Sequence, residues 1–272
     1  MFPASPQSGR LRTVTSAQNS LVKDFRKAFA AGALVDGAFA IEGMKLIEEA
    51  IRSGLKIRAV VFSESGAARA ERLLPQLSAQ AETIVVDDQI FSAFAQTETP
   101  QGVAALVAVK EFELGPLLSV AEPLLVVVVG LQDPGNLGTI LRCAEAFGAT
   151  AVILAEKTVS RFNHKVIRAS AGSAFRLPCI AVPTDTLIPK LREKQIRMLA
   201  TSSHKGGDPI DMAALIGKVA IFIGNEGAGL PKEVMAQMDG LVTIPQSEKV
   251  ESLNAGIATS IILYEAARQR RG

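Results

Sequence analysis

Three short stretches of this chain combine glycine with amide, carboxylate or guanidinium side chains at spacings that could do chemistry. LQDPGNLGTILRCAEAFGA (131–149) follows the apolar run LLVVVV and sets Asn136 six residues ahead of Arg142. IFIGNEGAGL (221–230) brings Gly224, Asn225, Glu226 and Gly229 in behind Ile223. TIPQSEKVESLNAG (243–256) carries Ile244 and then the triplet Ser252, Leu253 and Asn254. All three follow strand-like segments, and in open parallel sheets ligands bind beyond the carboxyl ends of strands. The glycines at 130, 135, 138 and 148 do not fit the G-x-G-x-x-G spacing of a dinucleotide site, which argues against a nicotinamide-binding enzyme.

Each loop also has a plain structural reading. A glycine–asparagine loop is often only a turn that needs positive φ. Glu226 could cap a helix, and Asn136 and Asn254 could do the same. Ser252 could be an N-cap ahead of the apolar positions 253, 257, 261 and 264. None of the three stretches contains a histidine, so the usual base at neutral pH is missing from them. Cys143, Cys179, His164 and His204 offer no metal-ligand spacing, and two cysteines are too few for a disulfide framework.

A fourth stretch, KTVSRFNHKVIRASAGSAFR (157–176), is locally basic. Read as a helix over 160–171, it puts Arg161, Lys165 and Arg168 on one face and Val159, Phe162 and Val166 on another. A charged solvated face is the ordinary meaning of such a pattern. Beside a nucleic-acid site it would bind phosphate.

The elements that must position these residues fall into two groups. Over 18–110, helix-like and strand-like pieces alternate: a basic amphipathic helix in NSLVKDFRKAFA, strand then helix in FAIEGMKLIEEAIRSG, a strand IRAVVFS, a helix near 67–79, and strands TIVVDD and VAALVAV. Residues 110–123 lose periodicity and read as a linker. From 124 onward the strand candidates LLVVVVG, AVILA, PCIAV, RMLAT, VAIFIG and LVTIP are continuously apolar, the pattern of strands buried on both faces of a parallel sheet. Helices are expected between them at 136–147, 160–171, 185–194, 229–238 and 252–271.

Composition fits this α/β reading. With 272 residues, 48% hydrophobic and 21% charged, the chain can bury real cores. A net charge of +2 neither demands nor excludes RNA, and no Trp with a single Tyr makes aromatic base stacking a poor choice of binding device. The N-terminus is polar, without the apolar core of a signal peptide, and the longest apolar runs of about eight residues fall far below a membrane span. The expected location is the cytoplasm.

The three loops together, in this order, resemble the SpoU branch of the SPOUT RNA methyltransferases, the TrmH-like ribose 2′-O-methyltransferases. Asn136 and Arg142 match the first family motif. Gly224 to Leu230 match G-x-E-G-x-G-[LM], and Ile244, Pro245 and the S-L-N triplet match the third motif. Asn163, Lys165, Arg168 and Gly172 match a further N-x-K-x-x-R-A-S-A-G stretch, and AQNSLVKDFRKAF with FAIEGMKLIEEAI resembles the family's small substrate-binding domain.

The resemblance implies an α/β protein: a parallel-sheet, trefoil-knotted SPOUT domain over 118–272 and a smaller RNA substrate-binding domain, similar to a ribosomal RNA-binding protein, over 1–110. It implies S-adenosyl-L-methionine as cofactor, held by Gly224, Ile244 and Leu253, with Ile223, Asn225 and Gly229 beside them. The acceptor side would carry Arg142, Asn136, Glu226, Ser252 and Asn254. The family gives Arg142 the proton, but its very high pKa favours a phosphate clamp and electrostatic stabiliser instead. Glu226 would hold the loop, through an ion pair with Arg142. Lys165, Arg168, Arg161 and Asn163 would bind RNA. The resemblance further implies a homodimer through the knotted domain, no metal and no membrane. Ribosomal RNA is the expected target; tRNA, or a catalytically silent RNA-binding role for the same fold, are the alternatives.

Overall fold

The computed structural model describes residues 11–202, 206–247 and 249–271; His204 and the polar start of the chain lie outside them. The chain divides into two compact units, Met1–Lys110 with Phe162–Arg168, and Glu111–Arg161 with Ala169–Gly272.

The first unit contains β1 (Arg12–Val14), α1 (Ser20–Ala31), β2 (Ala38–Glu42), α2 (Met44–Arg52), β3 (Ile57–Ser63), α3 (Ala70–Leu73), β4 (Glu82–Val86), α4 (Asp88–Ser92) and β5 (Val103–Ala108). Its sheet runs β1-β4-β3-β5-β2, parallel across β1, β4 and β3 and antiparallel where β5 meets β3 and β2. The first strand has no counterpart in the sequence reading. The helix expected near 67–79 is broken into short turns around α3, with Pro75 in the last of them.

Why α1 forms is plain in its sequence. The Asn19 side chain accepts from the Leu21 amide at 3.0 Å, and Gly32 closes the helix at φ 59°. Leu21, Val22, Phe25, Ala28 and Phe29 then bury one face, with Phe25 and Phe29 stacked on Phe94. Each large apolar side chain buried this way contributes about 1.5–3 kcal/mol.

The second unit opens with α5 (Leu114–Leu118), where a linker was expected. Leu118 is buried, and Leu114 and Leu117 pack on the same core, so this segment is part of the domain. It continues through β6 (Leu124–Val128), α6 (Pro134–Ala146), β7 (Ala151–Leu154), α7 (His164–Ala169), α8 (Ser173–Arg176), β8 (Cys179–Ala181), α9 (Thr184–Glu193), β9 (Arg197–Ser202) and β10 (Asp208–Pro209). It ends with β11 (Val219–Ile223), α10 (Lys232–Met235), β12 (Gly240–Thr243) and α11 (Ala255–Arg270). Most of α7 packs with the first unit. The sheet order is β10-β12-β9-β11-β6-β7-β8, and every pairing is parallel. All five residues of β6 and of β11 are buried, as their unbroken apolar runs require.

Two helices are shorter than expected for local reasons. Ala171 and Gly172, both at positive φ, split the predicted 160–171 helix into α7 and α8. The predicted 229–238 helix shrinks to α10 because residues 225–229 close a loop and Pro231 stands at the cap. The last strand, β12, lies between β9 and β10, and the chain then turns into α11, which packs along α6. That return brings the second and third glycine-bearing loops to one place, as the resemblance implies for a knotted end.

Candidate active site

A cleft of about 590 Å³ opens beyond the carboxyl ends of β9, β11 and β12. Ile223, Gly224, Asn225 and Gly229 line it from the second loop, and Ile244 and Leu253 from the third, so all six expected cofactor residues meet. Glu226 and Ser252 line it as well. Thr201 and Ser202 at the end of β9 also border it, two polar residues that no motif marked.

Backbone packing shapes the cleft. A Cβ on Gly224 would fall 2.3 Å from the carbonyl carbon of Gly229, so no side chain fits there. Asn225 and Gly229 exchange backbone hydrogen bonds at 3.1 and 2.9 Å across the turn. The Asn225 side chain accepts from the amides of Gly227 and Ala228, while its Nδ2 donates to Gly130 O at 3.0 Å. Its side chain and both of its main-chain groups are therefore committed to closing the loop and pinning it to the end of β6. Leu253 contrasts with it: among the described residues neither its N–H nor its C=O has a hydrogen-bond partner. One free donor and one free acceptor bordering an apolar cleft suit the edge of a planar heterocycle.

At the mouth, Asn136 joins all three loops. Its Nδ2 donates to Glu226 Oε1 at 2.6 Å, and its Oδ1 accepts from Asn254 Nδ2 at 2.8 Å. The amide orientations follow from chemistry. Asn254 Oδ1 accepts from the Gly256 and Ile257 amides as the N-cap of α11, so its Nδ2 must face Asn136, and Asn136 must turn its own nitrogen to the carboxylate. Asn254 is thus both a cap and a link in the chain, and the cap is Asn254 where Ser252 had been a candidate. Asn136 is no cap; Asp133 fills that place on α6 and accepts from the Asn136 amide at 2.7 Å. The Asp-Pro-Gly-Asn order, a capping residue before a proline, carried that signal.

Glu226 therefore pairs with Asn136, and the expected ion pair to Arg142 is not formed. Arg142 is exposed, does not line the cleft, and among the described residues has no hydrogen-bond or ion-pair partner. Leu137, Ile140, Leu141 and Ala144 turn one side of α6 inward, while Thr139, Cys143 and Phe147 meet Gly256, Ser260 and Tyr264 of α11. Arg142 is left on the solvent side. The Glu226→Gln protein should keep the chain of amides in a weakened form, with turnover lowered severalfold and the unfolding midpoint nearly unchanged; steady-state kinetics beside urea unfolding checks this.

Comparison with known proteins decides the family. The family model described as the SpoU rRNA Methylase family matches residues 123–264, and the MRM3-like substrate binding domain matches residues 35–105. The chain belongs to the SpoU rRNA methylase family. Among relatives of this SpoU methylase is a 23S rRNA (guanosine(2553)-2′-O)-methyltransferase, RlmP, of Bacillus subtilis, 29% identical over 93% of this chain and 98% of that one. An uncharacterized tRNA/rRNA methyltransferase of Synechocystis is 32% identical over 97% of both. An rRNA methyltransferase from Sinorhizobium meliloti superposes with a TM-score of 0.81 at 30% identity, over 96% of this chain and 98% of that one. The SpoU methyltransferase AviRb from Streptomyces viridochromogenes, solved in complex with AdoMet, gives 0.82 at 27% identity over 94% and 99%.

The basic segment of this SpoU methylase is only partly as expected. Lys165 and Arg168 are exposed on α7, one turn apart, without a side-chain partner among the described residues. Arg161 is different. It precedes the helix and donates to Cys179 O, and burial pulls its guanidinium below the ordinary value. Asn163 is occupied too, accepting from the Lys165 amide at 2.9 Å as a cap. Arg268 and Arg270 at the end of α11 are likewise spoken for: Arg268 pairs with Glu265 at 2.8 Å, and Arg270 donates to the carbonyls of Leu215, Glu122 and Gly217. Burial pushes the Cys179 thiol up to about 12, which leaves it inert, and the described residues hold no metal-binding cluster. No described helix is long and apolar enough to cross a membrane.

His164 has a lowered pKa, first through burial and then through Lys165 and Arg168, with Glu42 opposing. The folded state therefore binds its proton less readily than the unfolded chain. Its contribution is present above the unfolded pKa of about 6.5 and is lost as the pH falls from there through the lower folded value. Urea midpoints at pH 7.5 and 5.5 should show this loss, and His164→Gln should remove part of the difference.

Proposed function

We propose that this chain is an S-adenosyl-L-methionine-dependent RNA methyltransferase that methylates a ribose 2′-hydroxyl, in 23S ribosomal RNA and in the cytoplasm. The observation that carries the reading is the Glu226–Asn136–Asn254 chain, which ties three distant loops around the mouth of one cleft. Residues 118–272, together with the rest of α5 just ahead of them, are taken as the methyltransferase domain and 1–110 as the RNA substrate-binding domain. The cleft fits the cofactor: Gly224, Ile244 and Leu253 would hold it, the free main-chain groups of Leu253 meeting the adenine edge and Ile244 adding apolar surface.

When bound, S-adenosylmethionine supplies a methyl carbon activated by a sulfonium, so the protein's part is to place the acceptor and manage one proton. Positioning alone contributes several kcal/mol of barrier lowering. Asn136, fixed from both sides, is the orienting residue; Glu226 and Asn254 hold it, and Ser252 stands at the same edge of the cleft. Arg142 would stabilise the developing alkoxide on the ribose and grip the adjoining phosphate, with the proton passing to solvent. Lys165 and Arg168 would bind RNA phosphates; Arg161 and Asn163 would shape the segment that presents them.

A homodimer through the knotted domain accompanies this reading. Ile257, Ile261 and Tyr264 are 53%, 38% and 53% exposed along α11, an apolar stripe suited to a second copy. Incubation with labelled methyl donor and bacterial ribosomal RNA, followed by nucleotide-resolution mapping of 2′-O-methylation, tests the activity. Methylation of tRNA alone, or cofactor binding without transfer to any RNA, would overturn it.

A further inference from the structure

The solvent face of α1 carries Lys23, Arg26 and Lys27, all exposed, opposite the buried face of Leu21, Val22, Phe25, Ala28 and Phe29. None of the three side chains has an ion-pair or hydrogen-bond partner among the described residues. The half-buried Asp24 at the flank is the helix's single carboxylate. Three arginines elsewhere in the same unit are neutralised locally, Arg12 by Glu82, Arg52 by Glu49 and Arg72 by Glu48. This helix lies ahead of residues 35–105, which match the substrate-binding-domain family.

The end of α1 meets a segment with two further free cations, Lys165 and Arg168. A Cβ on Gly32, its C-cap, would fall 2.7 Å from the backbone nitrogen of Asn163, the residue that caps α7. Lys27 is five residues before that junction and Lys165 two after it. The two helices thus meet end to end, with five unpartnered cations distributed along them.

We infer that the outer face of α1 is an RNA-backbone contact, with Lys23, Arg26 and Lys27 continuing onto α1 the phosphate track of Lys165 and Arg168. The inference rests on the proposed RNA substrate and adds a surface to it. Three unpaired cations with no aromatic among them fit a polyanion held by charge, read without base sequence.

The test measures binding of purified bacterial 23S rRNA by the full chain across a salt series, for wild type, K23E/R26E/K27E and the neutral K23Q/R26Q/K27Q. Both variants should bind S-adenosylmethionine as wild type does by calorimetry, which checks the fold. Expected is a loss of roughly tenfold or more in RNA affinity for the reversal variant, less for the neutral one. The slope of log K against log salt should be shallower by about 2, at roughly 0.7 per phosphate on a single strand. Unchanged affinity and slope in both variants, while Lys165→Glu with Arg168→Glu weakens binding, would overturn this inference and leave the RNA substrate standing. Wild type that fails to bind RNA would instead overturn the substrate reading. If the variants lose binding to phosphatidylserine vesicles and keep RNA binding, the face belongs to a lipid surface.

Discussion

The Gly224→Ala protein is expected to lose S-adenosylmethionine affinity by a hundredfold or so, while its first unit keeps its fold. The added Cβ would sit 2.3 Å from Gly229 C and 2.5 Å from Leu230 N, both main-chain atoms that cannot rotate away. The loop also cannot slide. The Asn225–Gly229 backbone pair closes it, and Asn225 Nδ2 fastens it to Gly130 O. Overpacking of this kind costs about 1–3 kcal/mol where neighbours can relax and more where they cannot. Gly229→Ala is the matched control. Nothing lies within 4 Å of a Cβ there, so only its φ of +67° is strained, and the penalty is about 1–2 kcal/mol. Calorimetric titration of both variants separates the effects: a Gly224→Ala protein that binds as tightly as Gly229→Ala would show that the cleft does not depend on this packing.

Much of this arrangement was legible in the residues. Continuous apolar runs such as LLVVV and VAIFI announced a doubly covered parallel sheet, because a strand buried on both faces has no reason to alternate. The glycine-bearing loops announced a site for the same local reason, being turns that follow strands. Partnership was not legible. Glu226 is as close in type to Arg142 as to Asn136, and only the packing of α6 on α11 turns Asn136 toward the other loops and Arg142 toward solvent. Arg161 stands apart because a four- or seven-residue spacing means a shared face only if a helix runs through it, and α7 begins at His164. A free positive charge and a buried guanidinium bonded to a carbonyl look the same in a sequence. Leu114, Leu117 and Leu118 have the spacing of a helix face, but Pro116 among them and Pro123 after them fit a linker equally well.

Replacing Arg142 with alanine should lower kcat by about 100- to 1,000-fold, the usual loss when a charge-stabilising donor is removed, and leave cofactor affinity unchanged. The second half of that expectation comes from position. Arg142 does not border the cleft, whereas Asn136 contacts Glu226 on its rim. At about 100° and 1.5 Å per residue, Arg142 stands about 240° around α6 from Asn136 and about 9 Å further along it. Side chains on a helix lean toward its N-terminus, so a guanidinium at 142 extends back toward the Asn136 end on the solvent side, where RNA must arrive. Its freedom from partners matters here: a guanidinium already paired to a carboxylate would have its charge cancelled before the ribose oxygen develops its own. Arg142→Lys keeps a positive charge without the planar fork, and should recover part of kcat but with a KM for RNA above that of the wild type. Full activity in the lysine protein would reduce the side chain to a general positive charge. A loss of S-adenosylmethionine affinity in the alanine protein would move Arg142 to the cofactor side and reverse the division of labour between the first loop and the other two.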